Sequence, residues 1–264
     1  MSTDGIVTAT KPKAGIGLIT IDRPQKRNAM TEDMVSQMLS AFADFDASDE
    51  IKAIIITGAG DKAFCAGHDI KNIPDGDLSH LYDEKHMEVF LLPRTNNKPV
   101  ISAVNGSAFA GGFCLALASD FRLATPDAVF AVPGPKLGIV PIAGQSSRLI
   151  RLLPPAISNE VIMAGRPLTA TRAEHFGFVN EVVDQDALIP SAIKLAEDIA
   201  VMSQFAVQSY KRISQASLFE GIEAADAMEY WLAMKAGHGE EVKEGLAAFA
   251  EKRPPNFSKS KDVT

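Results

Sequence analysis

Cysteine is scarce in this chain: two residues in 264, Cys65 and Cys114. That excludes a disulfide framework and suits a reducing compartment, so a cytoplasmic protein is expected. Long apolar runs are missing as well. The longest nearly apolar stretch, Ala108 to Ala118, is far short of the ~20 residues that a membrane span needs, so no membrane partner is expected. Met1 to Thr10 lacks a basic segment followed by an apolar block, so no secretory leader is expected. Base is not in excess: the net charge of −7 argues against a nucleic-acid surface. With 19 glycines and 15 prolines, collagen-like and low-complexity character are excluded. The five histidines form no His-x-x-x-His pair, and no Cys/His spacing suits zinc, so no metal is expected. No Gly-x-Ser-x-Gly elbow marks a serine nucleophile. His80 and His86 stand in a polar stretch that reads as solvated surface, and His175 lies at a helix end before Gly177.

What is present is apolar residue in quantity. Hydrophobic residues make up 46% of the chain and charged ones 22%, which excludes wholesale disorder. A chain of this length buries roughly three quarters of its unfolded surface, enough for a core without staples. The first half alternates strand-like and helix-like segments. Gly15 to Ile21 reads as a strand ended by Arg23-Pro24. Thr31 is placed to cap a helix whose first turn carries Glu32 and Asp33 and whose apolar face is Met34, Val35, Met38, Leu39, Phe42 and Phe45. Ile51 to Thr57 and Val100 to Val104 read as buried strands, Gly111 to Ser119 as a helix, and Phe121–Leu123 and Val129–Val132 as short strands. That order predicts an α/β fold with mainly parallel pairing. From about Ser146 onward the chain reads as helices, with Gly165 and Gly177 as terminators.

Three glycine-bearing segments invite a chemical reading. Gly58-Ala-Gly60-Asp-Lys-Ala63 matches a dinucleotide fingerprint, but the fingerprint needs a helix opening at the glycines. Here Phe64 to Ile70 follows with no helical start, so a plain turn leaving a strand competes with nucleotide-dependent redox chemistry. The other two segments are Ala63-Phe-Cys-Ala-Gly-His-Asp-Ile70 and Val104-Asn-Gly-Ser-Ala-Phe-Ala-Gly-Gly-Phe-Cys-Leu-Ala116. The second runs into a helix, where unsatisfied N–H groups at Gly111 and Gly112 form an anion site. Paired N–H donors from two such loops suit a developing oxyanion or enolate. Tight packing of glycines on a sheet accounts for the same residues.

The order of these motifs resembles that of the crotonase, or enoyl-CoA hydratase/isomerase, superfamily along nearly the whole chain. Asp22-Arg-Pro-Gln-Lys-Arg-Asn-Ala29 is similar to its N-terminal motif, Phe64-Cys-Ala-Gly-His-Asp-Ile70 to its Phe-x-x-Gly-x-Asp signature, and Ala103-Val-Asn-Gly106 with Ala110-Gly-Gly112 to its second signature. Thr169 to Asn180 and Glu251-Lys-Arg-Pro-Pro255 complete the set. The resemblance implies a crotonase-like spiral of ββα units over residues 1–190, which binds acyl-CoA, and a C-terminal helical trimerisation region over 191–264. It implies a homotrimer or dimer of trimers and an acyl-CoA thioester substrate, with coenzyme A entering as part of the substrate and no separate cofactor. By motif position, the thioester carbonyl sits between the backbone N–H groups of His68 and Gly111. Lys26, Arg27, Ala66, Ile70 and Lys71 fall where the family binds substrate, the cations suiting phosphates. Asp69 is expected to hold its loop. Most members carry a small residue where His68 stands, and its side chain need not be catalytic.

Two positions depart from the family's hydratases, which flank a water with two glutamates. Cys114 stands three residues after the oxyanion glycine, where the first belongs, and Gly134 in Phe130-Ala-Val-Pro-Gly134 stands where the second belongs. The Pro-Gly-Pro-Lys136 stretch resembles a branch that closes naphthoyl-CoA rings, but that branch's later Ser and Asp have no counterpart in Gly138 to Ile142. The sequence therefore points to an acyl-CoA-processing lyase or isomerase that is not a standard two-glutamate hydratase. The alternative is a catalytically weak or silent acyl-CoA-binding protein.

Overall fold

The structure, a computed structural model, describes residues 5–69 and 83–257. The predicted α/β architecture is present as two sheets with helices concentrated toward the C-terminus. The first sheet has the order β1 (Ile6–Lys13), β2 (Ile16–Asp22), β3 (Ala53–Gly58), β5 (Val100–Val104), β7 (Phe121–Ala124), β10 (Glu181–Val182). Only β1–β2 is antiparallel. The second sheet has the order β4 (Ala63–Cys65), β6 (Ser107–Phe109), β8 (Val129–Ala131), β9 (Leu168–Thr169), with β9 alone antiparallel.

Three times the chain passes from a long strand in the first sheet to a short strand in the second: β3 to β4, β5 to β6, β7 to β8. Each passage needs a tight turn. At Gly58 a side-chain carbon would lie 2.4 Å from the Phe64 carbonyl oxygen, and at Gly106 one would lie 2.6 Å from that of Lys62. Two buried asparagines then satisfy the turn's backbone. Asn28 Nδ2 donates to the carbonyls of Ala59 and Ala63 at 3.0 and 2.7 Å, and Asn105 Nδ2 to Gly60 at 2.7 Å, while Asn105 Oδ1 accepts from the Gly58 amide at 3.0 Å. The Gly58–Ala63 segment is therefore a strand-to-strand turn packed by side chains. No helix opens there, and the dinucleotide reading falls.

Helix α1 (Glu32–Ala47) begins as predicted, with Thr31 Oγ1 accepting from the Met34 amide at 3.3 Å. It buries Met34, Val35, Met38, Phe42 and Phe45 against the core between the sheets. The outer face of the first sheet presents Ile16, Ala53, Ile55, Ile101 and Leu123 to helix α8 (Leu188–Ala200), which returns Leu188, Ala192, Ala196 and Ile199. Both faces of the parallel strands are thus covered, which explains their unbroken apolar runs. Helices α2 (Glu84–Glu88), α3 (Leu92–Thr95), α4 (Gly111–Ala118), α5 (Leu149–Leu152), α6 (Pro155–Ile162) and α7 (Ala170–His175) surround the sheets, and α9 (Gln204–Phe219), α10 (Ile222–Gly237) and α11 (Glu240–Glu251) finish the chain. The helical reading of the second half misses β9 and β10, each too short for a two-residue periodicity to show.

Candidate active site

A cavity of about 450 Å³ lies where the two glycine loops meet. It collects most of the residues singled out by sequence. His68, Gly111, Cys114 and Gly134 line it, as do Ala66 and Asp69, with Lys26 and Arg27 exposed at its rim. Ile70 and Lys71 lie outside the described residues.

The loops touch through backbone. A side-chain carbon on Gly112 would stand 1.9 Å from the Cys65 carbonyl oxygen, and one on Gly67 would stand 2.8 Å from the Gly111 nitrogen. The two readings of these glycines therefore merge: tight packing is what brings the chain at Gly67 and His68 up to the start of α4. The first N–H groups of a helix have no acceptor within it, so that end of α4 favours negative charge. Met30 fixes the other loop as a parallel bridge. Its amide donates to the Gly67 carbonyl at 2.8 Å, and its carbonyl accepts from the Asp69 amide at 3.0 Å.

Ala110, just before α4, has φ of +47°, a conformation that favours glycine. Its surroundings over-determine it. Its amide donates to Ala131 at 3.1 Å, and its carbonyl accepts from the Cys114 amide at 3.1 Å and Gln145 Nε2 at 2.9 Å. Gln145 lines the cavity and escapes sequence reading, since nothing in its local pattern marks it.

Cys114 is 3% exposed, and burial pushes its thiol far above the usual range, so it stays protonated. Its Sγ lies 3.7 Å from the Ile142 carbonyl oxygen. Cys65, also buried, is pushed up to about 12 by desolvation. Asp69 Oδ2 accepts from Arg23 Nη1 at 2.7 Å. No glutamate is among the described residues lining the cavity, and among the described residues no group of His, Cys, Asp and Glu is arranged to hold a metal ion.

His86 departs from its expectation. It reads as solvated in sequence but is 6% exposed, because α2 turns it inward against α1. Its Nδ1 lies 2.6 Å from Asp83 Oδ1 and its Nε2 2.7 Å from Glu32 Oε1. Both partners accept, so both ring nitrogens carry protons. Burial opposes that charge, but hydrogen bonds and attraction from Asp83 and Glu32 outweigh it, and its pKa is raised. The His86 carbonyl accepts from His68 Nε2 at 3.3 Å, and the His68 ring meets Phe90 edge-on at 4.8 Å.

The profile of the family described as enoyl-CoA hydratase/isomerase matches residues 11–260. The chain belongs to the enoyl-CoA hydratase/isomerase family. A carnitinyl-CoA dehydratase from Citrobacter koseri is 42% identical over 248 residues, covering 90% of this chain and 92% of that protein. One from Salmonella paratyphi A is 41% identical over 251 residues, with the same coverage. Among solved structures, an enoyl-CoA hydratase from Bacillus anthracis superposes with a TM-score of 0.89 at 29% identity, covering 96% of this chain and 98% of that one. One from Mycobacterium tuberculosis H37Rv does so with a TM-score of 0.85 at 33% identity, covering 95% and 97%. The fold shared with these family members is the crotonase fold that the motif order implies. No described helix is long and apolar enough to cross a membrane.

Proposed function

We propose that this family member binds an acyl-CoA thioester with its carbonyl between the backbone N–H groups of His68 and Gly111, and stabilises the enolate formed there. The observation that carries this reading is the single cavity joining both glycine loops to an exposed pair of cations, Lys26 and Arg27. Loss of a proton beside the thioester moves charge onto the carbonyl oxygen. Fixed N–H dipoles stabilise it without reorganisation, each worth about 10²- to 10³-fold in rate. The cations suit the phosphates of coenzyme A.

The reaction is lyase or isomerase chemistry without the two-glutamate device. Cys114 and Gly134 line the cavity where the family resemblance places the glutamates, and a buried neutral thiol and a glycine cannot activate water. The relatives named carnitinyl-CoA dehydratase support a lyase acting on a CoA ester. The same two positions favour a second reading, a weak or silent acyl-CoA binder. A homotrimer or dimer of trimers is supported by apolar side chains left exposed on α10 and α11, among them Trp231 and Phe249, the latter 85% exposed.

The test is a short enoyl-CoA incubated with the purified protein while hydration is followed, together with binding of a set of acyl-CoA esters. Ester binding with hydration far below ordinary hydratase rates is expected. Hydration at ordinary rates would overturn the reading of Cys114 and Gly134, and NAD binding without ester binding would overturn the acyl-CoA reading.

A further inference from the structure

We propose that Gln145 is a positioning residue: its side-chain amide holds the Ala110–Gly111 peptide in the orientation that presents the Gly111 N–H to the thioester carbonyl. The proposal rests on the reading above, in which that N–H is one of the two donors. The Ala110 carbonyl and the Gly111 N–H belong to one peptide unit. The unit is trans and planar, so the two groups point in opposite directions. Whatever fixes the carbonyl therefore aims the N–H. The carbonyl accepts from the Cys114 amide at 3.1 Å and from Gln145 Nε2 at 2.9 Å, which uses both of its lone pairs. The bond from Cys114 directs the carbonyl into α4, so the N–H is directed out of it. Gly111 is the first residue of α4, and its N–H has no acceptor within the helix. Gly111 and Gln145 both line the cavity.

The peptide needs holding because its neighbour is strained. Ala110 has φ of +47° and ψ of −118°, outside the regions open to a residue with a side chain. A half-turn of the peptide would bring ψ to about +60°, into the left-handed region that alanine tolerates. Gly111 can absorb the matching change in its own φ, since it has no side chain. The relaxed arrangement would carry the N–H away from the ester and put the carbonyl oxygen in its place.

Gln145 opposes that turn from a fixed base. It is 5% exposed, and its backbone amide donates to the Ile142 carbonyl at 3.1 Å. A carbonyl only accepts, so the donor end of the side chain, Nε2, is the one that faces Ala110. A second hydrogen bond to the carbonyl also draws electron density from the peptide nitrogen, which makes the Gly111 N–H a stronger donor. Gln145 thus acts on the ester through one peptide of backbone.

The test uses the full chain and butanoyl-CoA labelled with ¹³C at the thioester carbonyl. The carbonyl stretch of the bound ester is read by infrared difference spectroscopy, with ester affinity and thermal midpoint measured in parallel. Two variants are compared with wild type. Gln145→Met keeps the length of the side chain without a donor, and Gln145→Asn keeps the amide but falls one methylene short of the carbonyl. Both are expected to bind the ester with little change in affinity while the shift to lower frequency falls to about half of the wild-type value or less, since one of two donors is lost. A full wild-type shift in either variant would overturn the proposal. So would loss of ester binding in a folded variant, because Gln145 would then hold the ester rather than the peptide. Wild type that binds the ester with no shift would instead overturn the reading of the two amides on which the proposal rests.

Discussion

The guanidinium of Arg23 reaches from the end of β2 to the carboxylate of Asp69, Nη1 to Oδ2 at 2.7 Å, and also donates to the Ala29 carbonyl at 3.0 Å. The pair joins the N-terminal motif to the loop that carries His68. Arg23 is only 2% exposed, so removing its charge leaves a carboxylate in a desolvated setting. Arg23→Met is expected to lose about 3–5 kcal/mol of stability, read as a lowered urea midpoint with an unchanged slope.

His86 gives a pH signature. Its pKa is raised by Asp83 and Glu32 against the pull of burial. A group whose native pKa exceeds its unfolded value stabilises the protein below the unfolded value, near about 6.5, and loses that contribution as pH rises through the native one. The stability gap between wild type and His86→Gln should therefore be wider below the unfolded value than above it and shrink toward alkaline pH. A gap that widens with pH would contradict the doubly protonated ring.

Glycine substitutions separate packing from backbone strain. At Gly112 a side-chain carbon would meet the Cys65 carbonyl oxygen at 1.9 Å, whereas Gly138, with φ of +75°, has nothing within 4 Å. Gly138→Ala is expected to cost about 1 kcal/mol, through conformation alone. Gly112→Ala should cost several times that, or prevent folding, because rigid backbone cannot yield. Thermal midpoints of the two variants make the comparison.

Lys211 on α9 tests how the C-terminal helices are anchored. It is 5% exposed and donates to the carbonyls of Pro93 and Lys98 at 2.7 and 2.9 Å and to Asp120 Oδ2 at 2.7 Å. Burial lowers its pKa, and Asp120 opposes that. Lys211→Met removes the cation from beside Asp120, whose Oδ2 keeps only the Val100 amide at 2.8 Å, and is expected to cost about 3–5 kcal/mol. In amide exchange, the loss of protection should centre on α9.

Much of the frame is legible in sequence because local chemistry decides it. Thr31 caps α1, and β5 spans Val100–Val104 as its apolar run predicts. The cavity is legible in large part, since the two glycine loops must meet to be of use. His86 is not legible: Asp83 to Glu88 is polar, and only tertiary placement beside Glu32 reveals that the ring is buried. Asn28 and Asn105 stand out as motif residues, but their work on the turn after β3 is set by partners 31 to 47 residues away. Strands β9 and β10 exist only through pairing with β8 and β7.

The most direct measurement is the infrared difference spectrum of an acyl-CoA labelled with ¹³C at the thioester carbonyl. On the proposed reading two N–H donors polarise that bond in the bound ester, so its stretch should move to lower frequency on binding to wild type. Ester that binds with its carbonyl stretch unchanged from water would contradict a site built on the amides of His68 and Gly111.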